Sequence, residues 1–413
     1  MPANVKLIVC GFTSPLSAAF YRGQLRYLKN SGYDVALITG PGPAVEKLVQ
    51  EEGVQFFPVP MAREISPFQD LRSLIRIFFL LRRLRPAATN FSTPKAGLLG
   101  TIAAALARVP CRIYTLRGLR LETAAGIKRR LLWVSEWLAC RSSHVTVCIS
   151  ESLRKQAAHL GLVEASRTRV FGNGSSNGID AAHFARTSPG AVDGLKSALG
   201  IPPNAPVIGF VGRLVRDKGI PELVDAFRQL SPSRPELRLL LVGDFEEGDP
   251  VPGEVRRYIE AEPRIVHAGF VSNVAPYYAI MDVFAFPTHR EGFGGASLEA
   301  QASGVPVVAS RATGVVDSVI DNETGLLVPV GDANALSAGI CRLLDDPELR
   351  RRMGAAGKAR ARKEFAPEII WRGLADLYGE LLGTRPTPHS PFSGAIPSEA
   401  CESVSSITHT LAS

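Results

Sequence analysis

Residues 286–310 read FPTHREGFGGASLEAQASGVPVVAS and set two glutamates eight positions apart, Glu291 and Glu299, around a glycine-rich bend. A short apolar run over 283–286 leads into Pro287, then a carboxylate, then Gly292, Gly294 and Gly295, then a helix carrying the second carboxylate in its early turns. Strand, glycine turn and helix start together make an anion pocket. Backbone without a Cβ approaches an anion closely, and the helix dipole favours negative charge at that end. Ionised carboxylates only accept hydrogen bonds, so the two glutamates suit hydroxyls attached to that anion, those of a sugar or a ribose.

Outward from this unit, short runs of Val, Ile and Leu alternate with amphipathic helical stretches. The second half reads as strands over 207–211, 237–242, 265–270, 283–286, 305–310 and 326–328. The first half gives strands over 6–10, 34–39, 55–59, 88–91, 111–116, 145–149 and 169–171, with helices over 17–30, 68–85 and 95–107. Continuous apolar strands joined by helical crossovers predict parallel sheets covered on both faces, hence an α/β chain of two doubly wound domains. A length of 413 residues agrees with two cores. Turn residues break the periodicity between 180 and 206, which divides the chain into 1–182 and 183–365. The Ser-, Thr- and Pro-rich stretch 384–413 reads as a disordered tail.

Residues 1–182 hold 24 Lys and Arg against 11 Asp and Glu, whereas the remainder holds 23 against 28. The basic first half points to an anionic surface. Without a helix-turn-helix, RNP-like or zinc-finger pattern, phospholipid is favoured over nucleic acid. Six scattered cysteines, Cys10, Cys111, Cys140, Cys148, Cys341 and Cys401, read as buried thiols of a reducing compartment. The first apolar run is too short for a signal peptide, and no run is long enough to span a membrane.

In residues 208–227, IGFVGRLVRDKGIPELVDAF, a strand ends in Gly212, and Arg213 and Lys218 flank the entry to a helix. Cations at the carboxyl end of a parallel strand suit a diphosphate.

Together, VGRLVRDKG, HREGFGGASLEAQASGVPVVAS and TGLLVPVGD resemble the retaining glycosyltransferases of family 4, with SPLSAAFYRGQLRYLKNSGYDV, STPKAGLLG, IYTLRGLRLET and GSSNGID matching in the first half. The likeness is greatest to the branch that builds capsule, exopolysaccharide and lipid-linked oligosaccharide. It implies the GT-B fold, two facing Rossmann-like domains with a cleft between them, and a last helix over 366–383 that crosses back to the first domain. By the same resemblance Glu299 holds the ribose hydroxyls, and Arg213 and Lys218 neutralise the departing diphosphate. Glu291 and the N–H groups around Phe293, Gly294 and Gly295 hold the donor sugar, and Gly212 and Gly243 border the nucleotide. The implied reaction needs no cofactor and no metal; no Asp-x-Asp occurs.

One departure concerns the segment Tyr114-Thr115-Leu116-Arg117-Gly118, where many relatives carry a histidine. An arginine stays protonated and cannot serve as a general base. Arg117 and Arg120 are therefore expected to bind an anionic group of the acceptor, with Glu122 orienting one of them. Ser14, Thr93 and Lys95, at strand-to-helix turns, are further acceptor candidates, and His289 is placed near the donor sugar.

Residues 67–86, PFQDLRSLIRIFFLLRRLRP, and 126–141, GIKRRLLWVSEWLACR, combine large apolar groups with clustered Arg and Lys. Such helices dock soluble proteins on anionic lipid. Leu74, Ile75, Phe78, Phe79, Leu81 and Leu84 are the expected apolar contacts, with Trp133 and Trp137.

The whole reading is a metal-independent hexosyl- or N-acetylhexosaminyltransferase on the cytoplasmic face of the cell membrane, moving a sugar from a UDP-linked donor to a polyprenyl-diphosphate-linked glycan. Transfer to a soluble acceptor, a nucleotide-sugar 2-epimerase on the same fold, and a non-catalytic nucleotide-sugar-binding module stay open as alternatives.

Overall fold

The computed structural model of the protein describes residues 5–62, 66–185 and 187–384. The stretch from 385 onward, including Cys401 and all but the first residue of the expected tail, lies outside the described residues.

Seven strands form a first parallel sheet: β1 (Leu7–Gly11), β2 (Asp34–Thr39), β3 (Gln55–Pro58), β4 (Ala88–Ser92), β5 (Cys111–Leu116), β6 (Val145–Cys148) and β7 (Thr168–Arg169). Six form a second: β8 (Val207–Val211), β9 (Arg238–Val242), β10 (Ile265–Gly269), β11 (Val283–Phe286), β12 (Val307–Ser310) and β13 (Gly325–Val328). The orders are β3-β2-β1-β4-β5-β6-β7 and β10-β9-β8-β11-β12-β13. Every strand pair is parallel. Strands β8 and β11 are buried along their whole length because helices cover both faces.

Each sheet winds outward from its first strand and then crosses back to that strand's other side. Parallel strands that diverge in this way open a crevice at their carboxyl ends. In the second sheet the switch lies between β8 and β11. It brings the loop after Val211 beside the loop after Phe286, so Lys218 and Glu291 meet although far apart in sequence.

The expected helix over 17–30 is two pieces, a 3-10 turn over Pro15–Tyr21 and an α-helix over Gln24–Asn30. Gly23 between them sits at φ 77°, and a Cβ there would lie 2.5 Å from the Trp371 indole. Burial of that tryptophan therefore overrides the helical periodicity. The last strand of the first sheet stops at Arg169, short of the expected 171.

The helix Pro367–Leu382 returns to the first sheet, where Ile370, Trp371, Leu374 and Tyr378 share a core with Ile8, Leu25, Tyr33 and Leu37. The helices Pro67–Leu84, Pro94–Leu106 and Gly126–Ser142 pack side by side, the middle one touching both others. Leu74, Phe78, Leu81 and Leu84 lie on the core side of the first of these. That corrects the lipid-facing role expected for them. Cys10, Cys111, Cys140 and Cys148 are buried thiols, while Cys341 is only half-buried, its thiol 3.1 Å from Asp345.

Candidate active site

At the carboxyl end of the second sheet, the cations expected to face a diphosphate are already paired. Lys218, closing the 3-10 turn Arg216–Lys218, makes an ion pair with Glu291 Oε1, and both side chains are largely shielded, 14% and 20% exposed. Arg213, more open, donates from Nη1 to Glu246 Oε2 at 2.9 Å. Reading the sequence alone missed Glu246, which lies in the loop after β9, because nothing in the chain's order places that loop beside Arg213.

Asp217 ties the two loops together. Its carbonyl accepts from the His289 N–H at 2.9 Å and the Thr288 hydroxyl at 3.1 Å. Its carboxylate takes Arg290 Nη2 at 2.5 Å, and its own N–H donates to Asp249 at 2.7 Å. With both sides of Lys218–Glu291 held in this way, the pair is preorganised. His289, expected near the sugar, has its Nε2 2.8 Å from Glu222 Oε1. The hydrogen bond to Glu222 raises the histidine's pKa; for the Glu222 carboxyl, burial pushes upward, and the His289 contact, a backbone hydrogen bond and the nearby charges of His289 and Arg216 together bring it below the ordinary value.

Glycines let this end of the sheet close up. Gly243 stands at φ 128°, and a Cβ there would lie 2.0 Å from the Gly212 carbonyl, so no other residue fits between the ends of β8 and β9. Phe293 buries its ring against Phe365 at 5.4 Å between centroids, leaving its backbone to face the bend. Gly294 precedes the helix Gly295–Ala302, and the first N–H groups of that helix have no acceptor within it. An anion at this end would meet those donors and the positive end of the helix dipole.

Glu299 sits on that helix and accepts from the Tyr278 hydroxyl at 2.9 Å. Burial lifts its carboxyl from 4.5 to about 7, against the lowering effect of that bond. Tyr278 also reaches the Ala296 carbonyl at 3.1 Å, which fixes the ring beneath the helix. A desolvated carboxyl with one donor in place has acceptor capacity left for a diol.

The first domain closes over this pocket. A Cβ on Gly292 would lie 2.2 Å from the Arg117 carbonyl, so the loops after β5 and β11 touch backbone to backbone. Ser150 donates to the Gly292 carbonyl at 2.7 Å, Ser152 bonds Asp317, and Arg290 Nε reaches Thr123 at 3.0 Å. Glu122 orients neither arginine as expected; its Oε1 accepts from Thr313 of the second domain at 2.7 Å, and burial raises its pKa. Its other oxygen is buried with no hydrogen-bond partner among the described residues.

Arg117 lies over the rings of Phe20 and Tyr21, 4.8 and 5.3 Å from their centroids, and donates to the Ser176 carbonyl at 3.1 Å. It lines a small cavity with Asn90, Thr115 and Ser175 beneath the returning helix. Arg120 stands partly exposed in the 3-10 turn Arg120–Glu122 at the cleft's edge. Lys95 is bound to Asp70 at 2.8 Å and mostly shielded. Ser14 opens the turn after β1, its carbonyl accepting from Ser17 at 2.8 Å. Thr93 bonds Thr13 at 2.8 Å, and Thr13 in turn accepts from the Ala96 N–H at the helix start.

Two facing parallel-sheet domains, with a glycine-rich bend and a shielded Lys–Glu pair at the switch point between them, have the architecture of a GT-B glycosyltransferase. Residues 193–360 match the family described as Glycosyl transferases group 1, and residues 18–174 the Glycosyl transferase 4-like domain. The capsular polysaccharide biosynthesis glycosyltransferase CapM of Staphylococcus aureus is 37% identical over 366 residues, 89% of this chain and 95% of that one. The chain therefore belongs to the family 4 glycosyltransferases. A second relative, the Escherichia coli UDP-Gal:alpha-D-GlcNAc-diphosphoundecaprenol alpha-1,3-galactosyltransferase, is 27% identical over 79% of this chain and 84% of its own length. Among solved structures, Anabaena Alr3699/HepE in complex with UDP superposes with a TM-score of 0.74 at 22% identity, covering 90% of this chain and 99% of that one. WaaG, a glycosyltransferase involved in lipopolysaccharide biosynthesis, gives 0.69 at 14%, covering 90% and 99%.

Proposed function

We propose that this glycosyltransferase moves a hexose or N-acetylhexosamine from a UDP-linked donor to a polyprenyl-diphosphate-linked glycan, with retention at the anomeric carbon and without a metal. The observation that carries the reading is the Lys218–Glu291 ion pair beside the open N-terminus of the helix Gly295–Ala302. A departing nucleoside diphosphate develops negative charge, and neighbouring cations with oriented N–H groups stabilise that charge more in the transition state than in the ground state. Lys218 turns from Glu291 to the phosphate, and Glu291, released, accepts from a hydroxyl of the sugar. Arg213 contributes the same charge from the rim, in exchange for Glu246. Glu299 takes the ribose hydroxyls. The oxygen of the departing phosphate accepts the acceptor's proton on the face it leaves, so Arg117 need not act as a base.

For the donor, support comes from neighbours solved with UDP and with UDP-glucose. For the acceptor, it comes from the relative whose name specifies a diphosphoundecaprenol substrate. The test is release of nucleoside diphosphate from a panel of nucleotide sugars, with and without a polyprenyl-diphosphate glycan, in excess EDTA. Acceptor-dependent release of UDP that survives chelation is the expected result. Loss on chelation, restored by magnesium or manganese, refutes the metal-free reading, and release driven only by a soluble acceptor refutes the lipid-linked one.

A further inference from the structure

The helix Pro67–Leu84 has two apolar stripes, only one of which the fold uses. Ser73, Ile77 and Leu81 face the core. Phe68, Leu71, Ile75 and Phe79 recur every third or fourth position on the opposite side and are 91%, 54%, 46% and 65% exposed. The helix Gly126–Ser142 repeats the pattern. Glu136, Ala139 and Cys140 point inward, whereas Ile127, Leu131, Val134 and Trp137 remain exposed. Trp137 stacks on Trp133 at 6.2 Å between centroids, and the Trp133 indole N–H is fixed to the Leu160 carbonyl at 2.8 Å. Both helices flank Pro94–Leu106 in one layer, so the two stripes belong to the same side of the first domain.

Charge on this side has one sign. Arg72, Arg76, Arg82, Arg83, Lys128, Arg129, Arg130 and Arg141 are all exposed. Each helix has a single carboxylate, and neither balances them. Asp70 is taken up by Lys95 and the Ser66 N–H, and Glu136 is buried under its helix, accepting from the Tyr114 hydroxyl at 2.7 Å.

We infer that this surface docks the enzyme on an anionic lipid bilayer, a use that rests on the lipid-linked acceptor proposed above. Large apolar groups sink to the boundary between headgroups and acyl chains, the surrounding cations meet lipid phosphates, and stacked indoles suit the headgroup level. A second copy of the chain would set this row of exposed cations against its own duplicate, which disfavours a dimer through the same face. The location agrees. The turn Arg120–Glu122 just ahead of the second helix touches Thr313, and Thr123 touches Arg290, so the docked face adjoins the mouth of the cleft. A groove lined by Gly126, Arg129, Arg130, Trp133 and Val134 lies at the start of that helix.

The test is co-sedimentation of the full chain with phosphatidylcholine vesicles, with and without phosphatidylglycerol, and with no acceptor present. Wild type should bind only the anionic vesicles, and less so as salt rises. Phe68→Ser, Leu71→Ser, Ile75→Ser and Phe79→Ser combined, and separately Arg72→Glu, Arg76→Glu, Arg129→Glu and Arg130→Glu combined, should each weaken binding by about tenfold or more while UDP affinity and melting temperature hold. The inference fails if wild type ignores anionic vesicles, if both variants bind as wild type does, or if ultracentrifugation shows a dimer that the serine variant dissolves. Transfer to a lipid-linked acceptor in detergent micelles tests the acceptor separately. Vesicle binding with transfer to soluble acceptors alone overturns the acceptor reading and leaves docking intact; micellar transfer without vesicle binding does the reverse.

Discussion

Replacing Glu299 by Gln should make the empty enzyme more stable at about pH 8 and a poorer binder of UDP. This carboxyl has one donor, Tyr278, and is otherwise desolvated, and the burial lifts its pKa from 4.5 to about 7. Because the folded value is raised, the native state holds the proton more tightly than the unfolded chain. The group's stabilising contribution is complete below 4.5 and is lost as pH rises through about 7. At roughly 1.4 kcal/mol per pH unit of lift, the ionised carboxylate costs about 3 kcal/mol once both states are deprotonated. Glutamine has the shape of the protonated acid and does not ionise, so Glu299→Gln removes most of that cost at about pH 8 and little at about pH 5. With about 2–4 °C per kcal/mol for a domain of this size, the expected gain is roughly 5 °C or more at the higher pH. UDP reverses the order, since an amide accepts at only one of its two ends and cannot take both ribose hydroxyls. Thermal scans at both pH values, with and without UDP, measure all of this. Equal shifts at the two pH values, or undiminished stabilisation of the variant by UDP, would refute the reasoning.

Lys218→Ala should cut turnover by about 10² or more, the scale of a lost charge-stabilising donor, while steady-state rates of the wild type are unchanged by EDTA. Glu291→Ala should lower turnover more than UDP affinity, because its partner is the transferred sugar; titration calorimetry with free UDP showing a loss as large as that of Glu299→Ala would reverse the roles. The His289–Glu222 contact raises the histidine's pKa, so its stabilisation is present below 6.5 and lost as pH rises through the folded value. Accordingly, His289→Ala should lower the melting temperature more at about pH 6 than at about pH 9, and a pH-independent loss would contradict this. Gly292→Ala must push a methyl against the Arg117 carbonyl, 2.2 Å from where its Cβ would stand. Small-angle scattering should show its two domains further apart than in wild type, and an unchanged scattering profile with full activity would count against the interdomain contact.

Most of the fold was legible along the chain because its signal is local. The strands at Asp34–Thr39, Cys111–Leu116, Val207–Val211 and Val283–Phe286 coincide with continuous apolar runs, and Pro367–Leu382 has both a Pro start and a Gly stop. Strand-end motifs also singled out Arg213, Lys218, Glu291 and Glu299, all of which lie at the carboxyl end of the second sheet, since backbone geometry at a strand-to-helix turn depends on the few residues in it. What the sequence could not decide is who pairs with whom. Glu246 meets Arg213, Lys218 meets Glu291, Glu122 meets Thr313 rather than an arginine, and Gly23 yields to Trp371, all between segments distant in the chain. The same holds for the helix Pro67–Leu84, whose composition announces an amphipathic basic element but not which stripe is core. Leu74 and Phe78 turned inward while Phe68 and Phe79 stayed out. Periodicity fixes angles around a helix axis, but only packing against a neighbouring helix and sheet chooses which angle is buried.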